Sequence, residues 1–127
     1  RGQVAHDLPL VLLVDGDSAS SSEIVTGALQ DADRATIIGT RTAGTGTSMY
    51  GWTYDDGSEL WIGTSRWFTP KGRSAWHVGL PPDVEVALAE GVRPVGPLEL
   101  AELGAAGLAT SGDAQLLRAI QELEPAR

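Results

Sequence analysis

The stretch V-D-G-D-S-A-S-S-S-E-I, Val14 to Ile24, constrains this chain most. An apolar run, Leu10 to Val14, leads into it, and a helical apolar pattern at Ile24, Val25, Ala28 and Leu29 leads out. The backbone must therefore turn from a strand end into a helix start within a few residues. Ser20-x-x-Glu23 is a capping-box signature, which on its own predicts only a well-closed helix N-terminus. The same turn sets a serine hydroxyl beside the free backbone N–H groups of a helix start. A developing oxyanion can be stabilised there, so acyl transfer is the chemistry to test.

The rest of the chain follows from periodicity and turn chemistry. A helix is expected over residues 20–33 and a second buried strand over Ala35–Ile38, so residues 10–38 form a βαβ unit with parallel strands. Gly39–Thr47 is a Gly/Thr-rich loop without the G-K-[ST] ending of a phosphate-binding loop. Asp55-Asp56-Gly57 predicts a hairpin between residues 48–54 and 58–68. The tryptophans at 52, 61, 67 and 76 are expected to pack that layer. Prolines 81 and 82 make Val84–Val86 an edge strand. After Leu88 the composition shifts to Ala, Gly, Leu and Glu, which divides the chain into 1–88 and a helical extension, 89–127, that packs on the core. Helices are expected over Pro97–Leu103 and Asp113–Leu123.

Bulk properties exclude several classes. The 127 residues fit one domain. There is no cysteine, hence neither a disulfide nor a thiol nucleophile. A net charge of −8 argues against binding nucleic acid through its phosphates. The two histidines, His6 and His77, stand far apart and in no ligand spacing, so neither a metal nor another cofactor is expected.

Seven blocks, in order, resemble the carboxyl-terminal processing, or tail-specific, serine proteases. They are V-D-G-D-S-A-S-S-S-E-I (14–24), G-A-L-Q-D (27–31), R-A-T-I-I-G (34–39), R-T-A-G-T-G (41–46), D-G-S-E-L (56–60), R-W-F-T-P-K-G-R-S (66–74) and V-G-L-P-P-D-V (78–84). The resemblance implies an α/β core related to crotonase-like enzymes, of which this chain is the second half. It also implies a PDZ domain and the first half of the core upstream, a protein or peptide substrate, and a bacterial envelope or periplasmic location. It places the nucleophile at Ser20 and one oxyanion donor at the N–H of Ser21. The family's lysine, 25 residues on, falls on Thr45, and the glutamine that supports it falls on Met49. A desolvated lysine can accept a serine proton, whereas threonine has no basic site near neutral pH. Asp31 matches an acidic position near the dyad, although a surface carboxylate at a helix C-terminus explains it as well. His77 is a substitute base only if the Gly79-Leu-Pro-Pro segment folds back over the helix start. Lys71, the sole lysine, reads as a solvated turn residue.

Four functions compete on these residues: a serine endopeptidase core acting on protein C-terminal regions, a peptide-binding pseudoprotease without the base, an interaction module, and a crotonase-like acyl-CoA enzyme. The serine-rich turn and the ordered blocks fit the last poorly.

Overall fold

The computed structural model describes residues 7–124. The fold is mixed α/β. Strand β1 (Val11–Val14) is followed by helix α1 (Ser21–Asp31) and strand β2 (Thr36–Gly39). β1 and β2 pair in parallel from Val11 opposite Thr36 to Val14 opposite Gly39, which is the expected βαβ unit. A third strand, Val84–Glu85, adds in parallel on the other side of β2; counted in chain order after the hairpin described below, it is β5. The sheet order is β1-β2-β5, with β5 at an edge as expected.

Burial follows this order. Ile37 and Ile38 of the central strand are fully buried, whereas on the edge strand β1 only Val14 is buried and Leu13 keeps 38 % of its surface in water. The apolar run Leu10 to Val14 predicts a buried first strand. The strand is only partly buried because, among the described residues, no strand covers its outer edge. Gly27 brings α1 close to the turn near residue 70, since a Cβ there would lie 2.4 Å from Thr69 Cγ2.

The hairpin is β3 (Thr47–Thr53) and β4 (Glu59–Arg66), antiparallel, with Thr53 opposite Glu59. Asp55-Asp56-Gly57 makes its turn as expected. Gly57 takes a φ of 81° and donates to the Tyr54 carbonyl, while Asp56 accepts from Ser58. The expectation that the tryptophans at 52, 61, 67 and 76 pack that layer holds in part, since Trp67 and Trp76 are half-buried. Trp52 and Trp61 stay exposed, as do Tyr50, Leu60 and Ile62, because the hairpin forms a two-stranded sheet of its own. Trp61 lies over Gly51, where a Cβ would sit 2.9 Å from the indole. Tyr50 faces Ile62 and Trp52 faces Leu60 across the strands.

Segment α2 (Pro97–Thr110) is two helices joined across a kink. Gly104 leaves helical geometry at φ 60° and ψ 179°, so the first helix ends at Leu103 as expected, and a second follows it to Thr110. Helix α3 (Ala114–Leu123) starts at Asp113, whose carboxylate accepts from Leu116 N–H at 2.9 Å. It packs on β1 and β2 through the buried Ala119, and Gln115 donates to the Val86 carbonyl at 2.9 Å.

Candidate active site

The turn between β1 and α1 is built by Asp15 and Ser18. The Asp15 carboxylate accepts from Asp17 N–H at 3.0 Å and from the Ser18 hydroxyl at 2.9 Å, and the Asp15 N–H donates to Ser18 Oγ at 3.1 Å. These local bonds reverse the chain tightly. Ser20 then occupies the N-cap of α1 with φ 53° and ψ −115°, a backbone state that side-chain-bearing residues rarely adopt. Ser20 is exposed. Strain of this kind persists where the surroundings over-determine it, and it recurs at functional sites.

Glu23 supplies the surroundings. Its side chain is fully buried, and its carboxylate accepts four hydrogen bonds. Oε1 takes the Thr42 hydroxyl at 2.6 Å and Gly44 N–H at 2.7 Å. Oε2 takes Thr45 N–H at 2.9 Å and Ser20 N–H at 3.1 Å. Since Ser20 N and Thr45 N share one acceptor, they lie at most about 6 Å apart. Thr45 thus stands beside Ser20 despite the intervening 25 residues, as the βαβ reading expects. Thr45 is half-buried. A third segment closes over this loop: Thr42 Oγ1 accepts from Leu80 N–H at 2.8 Å, and the Gly44 carbonyl accepts from His77 N–H at 2.9 Å. Gly44, at φ 85°, has no space for a side chain, because a Cβ would lie 2.8 Å from Gly79 N.

The other sequence-derived candidates divide. Ser21 is the first residue of α1 and is exposed, so its N–H belongs to the free donors of the helix start. A cleft of about 330 Å³ beside it is lined by Leu13, Ser21, Ser22 and Val25, among others. Segment 77–80 does fold back against the Thr45 loop. The His77 ring is exposed, stacks edge-on against Trp76 at 4.0 Å between centroids, and makes no hydrogen bond among the described residues. Its backbone has φ 59°. Met49 lies on the exposed hairpin, opposite Gly63.

Asp31 corrects both readings made of it. It sits at the other end of α1 from Ser20, about 16 Å along the axis, so it does not join the Ser20–Thr45 cluster. It is not a surface carboxylate either. It is buried, accepts Lys71 N–H at 2.7 Å and forms a two-bond ion pair with Arg73, through Nε at 2.9 Å and Nη2. Lys71 is exposed and lies 3.7 Å from Asp33.

Burial pushes the Glu23 carboxyl up, but the bonds from Thr42, Gly44, Thr45 and Ser20 outweigh it and hold the group below its ordinary value of 4.5. For Asp31, burial likewise raises the pKa, and bonds from Thr69, Lys71 and Arg73 together with the Arg73 charge bring it below 3.8. Both groups bind protons more weakly folded than unfolded. Their contribution is therefore complete above the unfolded values and lost as pH falls through the folded ones. The melting midpoint is expected to hold level down to about pH 5 and to fall progressively in more acid solution. Circular-dichroism melts of the parent, Glu23→Gln and Asp31→Asn chains check this, with each variant melting lower at neutral pH and showing a shallower acid slope.

The model of peptidase family S41 matches residues 1–86. The chain belongs to that family. Among curated relatives it is 41 % identical over 85 residues to the carboxy-terminal-processing protease of Bartonella bacilliformis, covering 67 % of this chain and 20 % of the relative. It is 36 % identical over 114 residues to the carboxyl-terminal-processing protease of a Synechocystis species, covering 88 % of this chain and 27 % of the relative. The family is thus that of the carboxyl-terminal processing proteases. The photosystem II D1 C-terminal processing protease superposes with a TM-score of 0.61 at 34 % identity, over 78 % of this chain and 26 % of that one. Mature CPAF superposes at 0.63 and 21 % identity, over 91 % and 20 %, a likeness of fold alone. The matched part of the chain thus covers only 20 % to 27 % of the length of these proteins.

Proposed function

We propose that this S41 chain carries the nucleophile half of a serine endopeptidase acting on protein C-terminal regions. Ser20 is the nucleophile, and the Ser21 N–H is one of two oxyanion donors. One observation carries the reading: Ser20 stands exposed and strained at a helix start, bound through Glu23 to the loop where the family's second dyad residue falls. The crotonase-like arrangement, a PDZ domain, the first half of the core and an envelope location belong to the same proposal for the whole protein.

A second reading is favoured by Thr45. A hydroxyl is no general base at neutral pH, so the site as it stands suits a pseudoprotease that holds peptides without cleaving them. A fluorophosphonate probe, applied to the longest available form of the protein, separates the two. Labelling that maps to Ser20 and vanishes in Ser20→Ala supports the peptidase. Unlabelled Ser20 with retained binding of unstructured peptides supports the second reading.

A further inference from the structure

We propose that Glu23 is the positioning residue of this site: its buried carboxylate clamps the Ser20 backbone to the position-45 loop and fixes how the two approach. The proposal rests on the peptidase reading for its consequence in catalysis, and on geometry for the clamp itself.

Glu23 does more than close a helix. A capping-box glutamate needs one bond, back to the N-cap N–H. That bond is present, at 3.1 Å. Three further donors reach the same carboxylate from residues 42–45, across 19 to 22 residues of chain. An ionised carboxylate offers about four lone-pair sites and no donor, and here four donors meet it. Among the described residues no cation pairs with it. Its charge is held by charge-assisted hydrogen bonds and by its place in the first turn of α1.

This pattern is selective. An amide at position 23 presents an NH₂ group to the donors that now converge on one of the two oxygens. Aspartate keeps the charge but is one methylene shorter and cannot reach both partners from α1. Each change loosens the same juncture, where Ser20 N and Thr45 N share Oε2. The segment that backs the loop, with Leu80 N–H on Thr42 and His77 N–H on Gly44, is tied to the Ser20 backbone through the same carboxylate. The clamp therefore acts through Ser20 and touches no substrate.

Proximity can be read directly, because the chain has no cysteine of its own. A Ser20→Cys, Thr45→Cys pair in the 127-residue chain reports how often the two positions meet, through the rate of disulfide closure in a glutathione buffer. Residues whose Cα atoms stay within about 7 Å can be bridged. The folding control is amide-exchange protection of Ile37 and Ile38 in the sheet core. Closure is expected to be efficient with Glu23 in place. It should slow at least about tenfold in Glu23→Gln and by a smaller factor in Glu23→Asp, with Ile37 and Ile38 still protected. Three results overturn the proposal: no closure with Glu23 present, closure at an unchanged rate in both variants, or loss of core protection in both, which would make Glu23 a general framework residue. None of these depends on whether Ser20 reacts with a fluorophosphonate, so the clamp and the peptidase reading fail separately.

Discussion

Replacing Gly39 by alanine is expected to lower the melting midpoint by about 10 °C or more, or to leave the chain unfolded. Gly39 ends β2 at φ 136°, a conformation that a side chain disfavours, and a Cβ there would lie 1.8 Å from the Val14 carbonyl oxygen. That carbonyl also accepts Thr40 N–H at 3.0 Å, so it cannot move freely. Overpacking costs about 1–3 kcal/mol and the strained φ about 1–2 more, set against a typical total of about 5–15. The damage falls where β1 delivers the chain to the Asp15 turn and Ser20. Gly16 is the matched control: it lies in the same turn, and a Cβ there would meet nothing within 4 Å. Its alanine variant should stay within about 0.5 kcal/mol of the parent. Calorimetry of the two variants decides the matter. A Gly39→Ala chain that melts like the parent refutes this account of the junction.

The second large effect concerns activity. The 127-residue chain, unmodified or as Thr45→Lys, is expected to cleave no unstructured protein at a measurable rate. Base assistance supplies about 10²–10⁴-fold, and a missing oxyanion donor removes about 10²–10³. On the proposed reading, threonine at 45 withholds the first, and the second donor and the substrate-binding surface lie in the part of the protein outside these residues. Restoring an amine at 45 addresses only one deficit. In the longer protein, Thr45→Lys is expected to raise cleavage by about 10²-fold or more over the parent, and Ser20→Ala to abolish the gain. Robust Ser20-dependent cleavage by the unmodified 127-residue chain would contradict this account, and His77, on the segment that backs the Thr45 loop, would be the first base to test.

What is legible in the chain is what local chemistry decides. The apolar run before the serines, the capping box and the Asp-Asp-Gly turn each specify their element through neighbours a few residues away. β1, α1, β2 and the hairpin accordingly lie where the pattern puts them, within a residue or two. What depends on distant partners is not legible. Asp31 looks solvated until Arg73, 42 residues on, is folded against it. Glu23 reads as half of a cap because its other donors arrive from residues 42–45. The tryptophan-rich hairpin reads as packed because alternation marks which face is apolar without supplying the layer that would cover it.

The composition of the Glu23 clamp bears on how such a site can change over generations. Three of its four donors are backbone N–H groups, at Ser20, Gly44 and Thr45, and only Thr42 contributes a side chain. At position 45, any residue except proline presents that N–H equally well. The scaffold thus cannot sense which side chain stands at 45. A lineage can exchange the side chain there, or lose one and regain it, without disturbing the frame that holds it. Architecture and reactivity are then inherited under separate selection, and a chain with threonine at this position keeps a serine still held at a helix start.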